Sequence, residues 1–470
     1  MAAPPKSDPA PPLLKGNWGG PKTALAAVLA VALGLRVVGL QYGLPYTTLL
    51  DPDEQSIVPR AWKIVHGFGL DPHWFDYPSL LLYAQAPFQA WQDAPSILTA
   101  RIVTVVFGLA AVAATWWLGR RAYGTLAGVV GAAFVAVQTT SVAYSHAAVT
   151  DVPLEAGVAA SLALMVSDRL LLAGLVAGLA TSAKYPAVFL LIPLVVAAWG
   201  RWKRLAASVG LGIVAFLATS PFILAHPTRA WDDATRVQRL AREGWLGFEH
   251  DSFALFSFSG ELWHTLGPAL LVSVAGIGVA IATRRKADLV LLSFVAVYFA
   301  DLLTLHAHFD RYLLPLIPVL GVLAGRLRAL VPVTLLLLIV PLTWSIQHDI
   351  TLTKTDTRVV AARWIQDHVP QSAGLAAESS TPLLKRKILP LLLPGPGRPS
   401  DPNRDVARLK SEGIQYVLVT GAVADRVLAA RKHYPREVRF YDQLQRQAKR
   451  LYYVKPANGL AGPWVAVYRL

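Results

Sequence analysis

The chain has 470 residues, 54% of them hydrophobic and only 16% charged; a soluble globular chain carries about a quarter, so lipid is the expected solvent. It has no cysteine, which excludes a disulfide framework and a thiolate metal site. Its net charge of +15 falls largely in short loops between apolar runs, where it reads as a topology signal and not as a nucleic-acid surface.

In chain order, residues 1–21, rich in Pro and Ala with Lys6 and Lys15, read as a disordered cytoplasmic tail. Helix one is expected from about Thr23 to Leu40, running outward. A first outer loop, 41–78, holds Asp51, Asp53, Glu54, Asp71 and Asp76, with an interfacial helix over Glu54–Val65 that Pro59 bends or begins. Helix two returns over Ile97–Leu118 to Arg120-Arg121, helix three ends near Ala143, and helix four follows the outer turn Ser145–Asp151. Leu170–Trp199 is too long for one span and breaks at Lys184-Tyr185-Pro186, so two short helices meet there. Helix seven leads to a second outer loop, 226–261; helices eight to eleven follow, the last leaving near Gln347. Each inner loop is basic and each long loop is outer, so the reading is a polytopic α-helical membrane protein with about eleven transmembrane helices, residues 22–347.

From 348 to 470 the composition changes to that of a small α/β domain, outside by parity. A helix is expected over Thr357–His368 and a strand over Gly374–Glu378. Helix Asp405–Glu412 precedes strands at Ile414–Val419, Leu451–Val454 and Trp464–Tyr468.

Costly residues near span ends mark where function sits. Asp51, Asp53 and Glu54 place three carboxylates in four positions, either capping a short helix in water or forming a site. Arg36, Arg101, Lys184 and Arg311 are cations at outer ends, which either snorkel to headgroups or together hold a phosphate. A carboxylate base beside cations for a phosphate leaving group suggests group transfer from a phosphorylated lipid. A polytopic transporter or lipid flippase would share the helices and the charges, but the chain lacks the internal repeat such folds carry.

Five segments in order resemble one family. These are Asp53-Glu54, Phe75-Asp76-Tyr77-Pro78, Ser145–Pro153 ending its turn at Asp151, Gly174–Ala180 with Lys184-Tyr185, and Arg311-Tyr312-Leu313-Leu314-Pro315. Together with the C-terminal region they are similar to the lipid-carrier-dependent glycosyltransferases of the GT-C superfamily, on the protein O-mannosyltransferase and aminoarabinose-transferase branch (family 39-like). The resemblance implies a bacterial plasma-membrane enzyme with a cytoplasmic N-terminus. It would move a sugar from a polyprenyl-phosphate donor to a hydroxyl of a lipid, glycan or protein acceptor, with inversion. Asp53 is then the general base with Glu54 as its acidic partner, while Asp76, Tyr77 and Asp151 shape the sugar pocket. Arg101, Lys184 and Arg311, beside Tyr312, are the phosphate ligands. The chain departs from the pattern at Tyr77, where the aminoarabinose branch has Lys, and at Ser56, where an Arg is usual; Arg60, one turn on, is its candidate replacement. No cofactor is required by this reading, although a divalent metal held by Asp76 and His250 is compatible with it.

Overall fold

The computed structural model describes residues 21–45, 51–251, 253–382 and 384–470; the expected tail, but for Pro21, lies outside them. Helix α1 (Pro21–Val37) leads through the acidic loop to α2 (Asp53–Val65) and α3 (Leu80–Gln89). The bundle continues with α4 (Ile97–Ala122), α5 (Thr125–Val137), α6 (Thr139–Ser145), α7 (Asp151–Val166) and α8 (Leu170–Ala183). After a 3-10 turn at Tyr185–Leu190 come α9 (Leu191–Ala197), α10 (Trp202–Thr219), α11 (Phe222–Ala225) and α12 (Pro227–Glu243). The helical part ends with α13 (Ala254–Leu266), α14 (Ala269–Thr283), α15 (Lys286–Leu302), α16 (Ile317–Gly325), α17 (Val331–Leu337) and α18 (Ile339–Leu352).

Among the described residues, α4, α10 and the run Arg328–Leu352 are each long and apolar enough to cross a membrane. The pairs α5 with α6, bent by 58°, and α13 with α14, bent by 118°, qualify together. Helix α12, polar and with Ala230 its buried residue, lies inside the expected second outer loop, where α13 also begins, and α3 fills the stretch between the first outer loop and helix two. The break at Lys184 is present, with Pro186 opening the 3-10 turn.

The bend at Gln138 frees carbonyls that a continuous helix would bond. Arg36 reaches across from α1 to cover them, donating to Val135 O at 2.8 Å and Ala136 O at 3.0 Å, and to Ser141 Oγ and Ser145 Oγ at 3.1 Å. It is wholly buried. This cation, read from sequence as a headgroup or phosphate ligand, is a strut for a broken helix.

At one end of the bundle the basic loops meet. Asp168 binds Arg201 at 2.7 Å and Lys286 at 2.8 Å, Arg121 donates to Ser167 Oγ at 2.9 Å, and Arg326 pairs with Asp288 at 2.5 Å. The acidic loop and the C-terminal region lie elsewhere. Helices α8 and α10 pack closely, because Gly174 and Gly178 leave no side chain between them. A Cβ on Gly174 would stand 2.0 Å from Ser208 O, and one on Gly178 2.0 Å from Gly212 O.

Beyond α18, β1 (Thr355–Asp356) precedes α19 (Thr357–His368), β2 (Gly374–Glu378) and β3 (Leu389–Leu391). Then come α20 (Val406–Ser411), β4 (Ile414–Thr420), α21 (Gly421–Ala429), α22 (Pro435–Gln447), β5 (Lys449–Val454), β6 (Leu460–Ala461) and β7 (Val465–Arg469). The sheet runs β3-β2-β4-β7-β5, with β2 parallel to β3 and β4 and β7 antiparallel to β4 and β5. Alternation along β4 sends Val417 and Val419 to a core with Val423, Phe440 and Leu444, and Tyr416 and Leu418 to one with Ile365. Leu246, just after α12, is buried in the first of these cores. Tyr42 clusters with Leu352 and Ala461, so the C-terminal region rests on both loops expected to be outer.

Candidate active site

The first turn of α2 is fixed by one buried ion pair. Arg101, at the start of α4, donates from Nε to Glu54 Oε1 at 2.8 Å and from Nη2 to Oε2 at 2.9 Å. Its Nη1 reaches the carbonyls of Leu40 and Tyr42, both at 2.9 Å. Glu54 Oε1 also accepts from Ala148 N at 3.0 Å, and both side chains are fully buried. A fork-to-fork pair of this kind is geometrically stiff. It ties the end of helix one, α2, α4 and the turn before α7 into one unit. In this structure Glu54 faces protein, and the guanidinium of Arg101 is taken up by that carboxylate and two backbone carbonyls.

One residue back, Asp53 turns the other way. Its Oδ2 accepts from Tyr77 Oη at 2.9 Å and lies 3.8 Å from Arg311 Nη1. Arg311 pairs more closely with Asp51, whose Oδ1 accepts from Asp53 N at 2.9 Å. Burial, then repulsion from Asp51, pushes the Asp53 carboxyl up to about 6, while Arg311, Lys184 and the Tyr77 hydroxyl pull against them. Burial, and then the carboxylate of Asp53, raises Tyr77 well above an ordinary phenol, so it stays a donor at neutral pH.

Lys184, at the break between α8 and the 3-10 turn, donates to Asp151 Oδ1 at 2.6 Å. Its ammonium lies 5.4 Å from the ring centres of both Tyr77 and Tyr312, within reach of the ring quadrupoles. Asp151 Oδ2 and Arg311 Nε are buried without a hydrogen-bond partner among the described residues; both are groups whose burial unpaired is costly.

Asp76 is paired with Arg236 of α12, and Asp233 on the same helix accepts from Phe75 N at 3.0 Å. Burial raises the Asp76 carboxyl, with Arg236 opposing. Tyr185 Oη donates to Phe75 O at 3.0 Å. Tyr77, Lys184, Tyr185, Tyr298 and Tyr312 line a cleft with Asp76 at its edge, closed on one side by the Ala234, Val237 and Ala241 face of α12. Arg60 is not among the groups around Asp53. It donates back to Ser56 O at 2.7 Å and lies over the Trp74 ring at 4.6 Å.

The suggested metal pair takes separate partners: Asp76 has Arg236, and His250 meets Ala429 O at 3.2 Å and the His433 ring. Sequence reasoning missed Arg236 and Asp233, since α12 was read as loop. The spacing of Ala230, Ala234, Val237 and Ala241 by four, three and four is the helical signal that marks it.

Residues 76–225 match the family described as dolichyl-phosphate-mannose-protein mannosyltransferase. That stretch holds Asp76, Tyr77, Arg101, Asp151 and Lys184. No curated protein sequence matches the chain. Among solved structures, ArnT from Cupriavidus metallidurans bound to undecaprenyl phosphate is similar, with a TM-score of 0.56 at 14% identity over 95% of this chain and 98% of that one. The Archaeoglobus fulgidus oligosaccharyltransferase AglB, in complex with an inhibitory peptide and a dolichol-phosphate, has a TM-score of 0.57 at 11% identity, covering 96% of this chain and 74% of its own. Identities this low speak for the fold and not for the substrate. The chain has the fold of the GT-C glycosyltransferases, and over residues 76–225 it resembles the protein mannosyltransferases.

Proposed function

We propose that the chain is an inverting glycosyltransferase that moves a sugar from a polyprenyl-phosphate donor to an acceptor hydroxyl at the extracytoplasmic face of a membrane. The observation that carries this reading is Asp53: a partly buried carboxylate raised to about 6, beside Arg311 and Lys184 and held by the phenol of Tyr77, a residue that lines the tyrosine cleft. A general base works best with a pKa near the operating pH.

In this mechanism Asp53 takes the proton of the acceptor hydroxyl as its oxygen attacks the anomeric carbon. The bond from that carbon to the donor phosphate breaks on the opposite face, and polyprenyl phosphate departs with the electron pair. Lys184 and Arg311 are the cations placed to meet the charge that gathers on the phosphate. Lys184 exchanges part of its bond with Asp151 for the phosphate, and Asp151 Oδ2 and Asp76 accept from sugar hydroxyls. Glu54 and Arg101 act through Asp53 by fixing the turn that carries it.

The topology we propose has eleven passes over residues 22–347, with the Arg121, Arg201 and Lys286 cluster in the cytoplasm and residues 348–470 as an extracytoplasmic domain above the cleft. The gathering of basic loops at one end supports it. The test is transfer of labelled sugar from a panel of polyprenyl-phosphate sugars by purified protein in lipid. One donor should turn over and Asp53→Asn should lose at least a hundredfold, in the range that general-base catalysis contributes. Wild-type turnover in a folded Asp53→Asn protein would refute the assignment.

A further inference from the structure

Outside the cleft, two imidazoles and a carboxylate converge from distant parts of the chain. Asp71 and His73 lie in the loop before α3, and His226 immediately precedes α12. His226 Nε2 lies 2.6 Å from Asp71 Oδ2, and His73 Nδ1 lies 3.3 Å from the same oxygen. The three ligating atoms fall within 4.8 Å of one another. Asp71 Oδ1 is already engaged, accepting from His73 N at 2.9 Å, which fixes the plane of the carboxylate. The His73 and His226 rings stand 5.5 Å apart, with Phe75 6.0 Å from His226 as an apolar wall.

Two imidazole nitrogens aimed at one carboxylate oxygen have two explanations. In the first, each ring donates an N–H to that oxygen, which has a lone pair for each. In the second, the facing ring nitrogens carry lone pairs and present them toward a common point beside the oxygen, the arrangement a metal requires. The ligand atoms of a tetrahedral zinc, with bonds of about 2.0–2.2 Å, stand roughly 3.4 Å apart. The His73 contact is already at that spacing, and the His226 contact reaches it by a slight ring rotation. Two nitrogens and one oxygen suit zinc and its borderline neighbours, whereas magnesium and calcium prefer oxygen alone. The His73 side chain is 61% exposed, which leaves room for water as a fourth ligand.

We propose that Asp71, His73 and His226 bind a zinc-class divalent ion that clips the first loop to the start of α12. This set shares no residue with the Asp53 cleft. Its effect would be local and mechanical: α12 carries Asp233 and Arg236, which hold Phe75 and Asp76, and the ion fastens the same two segments about two helical turns earlier, at His226.

The test uses the full chain, purified in detergent and stripped with a chelator. Adding Zn2+ alone should bind one equivalent with high affinity and raise the unfolding temperature by several degrees, because an ion selective for the folded state must stabilise it. Co2+ should give the visible absorption of a four-coordinate site, and Mg2+ should do neither. His226→Ala should abolish the shift, and His73→Ala, at an exposed position, should weaken binding at least tenfold with the fold intact. Absence of a zinc-dependent shift in the wild-type chain, an equal response to Mg2+, or undiminished zinc binding in the folded His73→Ala protein would each overturn the proposal. These readouts are independent of sugar transfer.

Discussion

Tyr77 donates its phenolic hydrogen to Oδ2 of Asp53 at 2.9 Å. A hydrogen bond to the ionised form favours that form, so the phenol restrains the rise that burial imposes on the carboxyl. Tyr77→Phe removes the restraint and leaves the ring in place. The acid limb of the pH profile for kcat/KM, expected near 6 in the wild-type protein if Asp53 is its base, should move upward by about half a unit to one unit. The variant should be several-fold slower at pH 6 and approach wild type at pH 8. An unmoved limb with a uniform loss at all pH values would assign the tyrosine a different role.

The same carboxyl makes a prediction for stability. Its folded value lies above the ordinary carboxylate range, so between about 4 and 6 the folded chain holds a proton that the unfolded chain releases. Its favourable contribution is fully present below that window and is lost as pH rises through about 6. Asp53→Asn removes the ionisable group, so it should raise the unfolding temperature by a few degrees at pH 8 and hardly at all at pH 4. Differential scanning fluorimetry at the two pH values reads the difference directly.

Glu54 should behave in the opposite way, although it adjoins Asp53 in sequence. Glu54→Gln leaves Arg101 buried against a neutral partner, and breaking such a pair costs about 3–5 kcal/mol. The expected result is poor recovery of monodisperse protein on size-exclusion chromatography. Arg101→Met alone should be as damaging, and the two changes together less damaging than their sum, because no lone charge is left behind.

The floor of the bundle can be probed through two glycines of similar setting and different surroundings. Gly178→Val drives a side chain into Gly212 O, where a Cβ alone would stand at 2.0 Å. Overpacking of this kind costs about 1–3 kcal/mol or more. Gly210, also helical, has nothing within 4 Å of an added Cβ. Gly210→Ala should therefore be neutral or stabilising by about 0.5–1 kcal/mol. Thermal unfolding in one detergent compares the pair.

Local signals were legible in the sequence, and long-range pairings were not. Thr357–His368 and Gly374–Glu378 coincide with α19 and β2, and for the helix the signal is local, because the capping Asp356 accepts from Arg358 N one residue inside it. The break at Lys184 was legible because Pro186 cannot continue a helix. The identities of Arg36, Glu54 and Arg101 as costly residues were visible too, yet their partners lie 47 to 109 positions away. A single sequence does not say whether a buried guanidinium meets a carboxylate, a bent helix or a ligand. The kink at Gln138 was hidden because α5 and α6 read as one apolar stretch, and the 118° turn between α13 and α14 because most of α13 fell within the expected second outer loop. Helix α12 was missed for a different reason: its apolar face is narrow and made mostly of alanine, which hydropathy hardly registers.

The attachment of α12 sets it apart from everything beneath it. Ala230 is its buried residue, Trp231 is exposed, and its contacts with the rest of the chain include Arg236 with Asp76, Arg242 with Asp301, Asp233 with Phe75, and the carbonyls of Ala241 and Arg242 with His306 and Ala307. Ion pairs at a wet boundary weaken as ionic strength rises, whereas backbone-to-backbone glycine packing does not. Salt should therefore act on this molecule as a selective solvent for its roof, loosening the cover of the tyrosine cleft while the helices that form the cleft's walls keep their register.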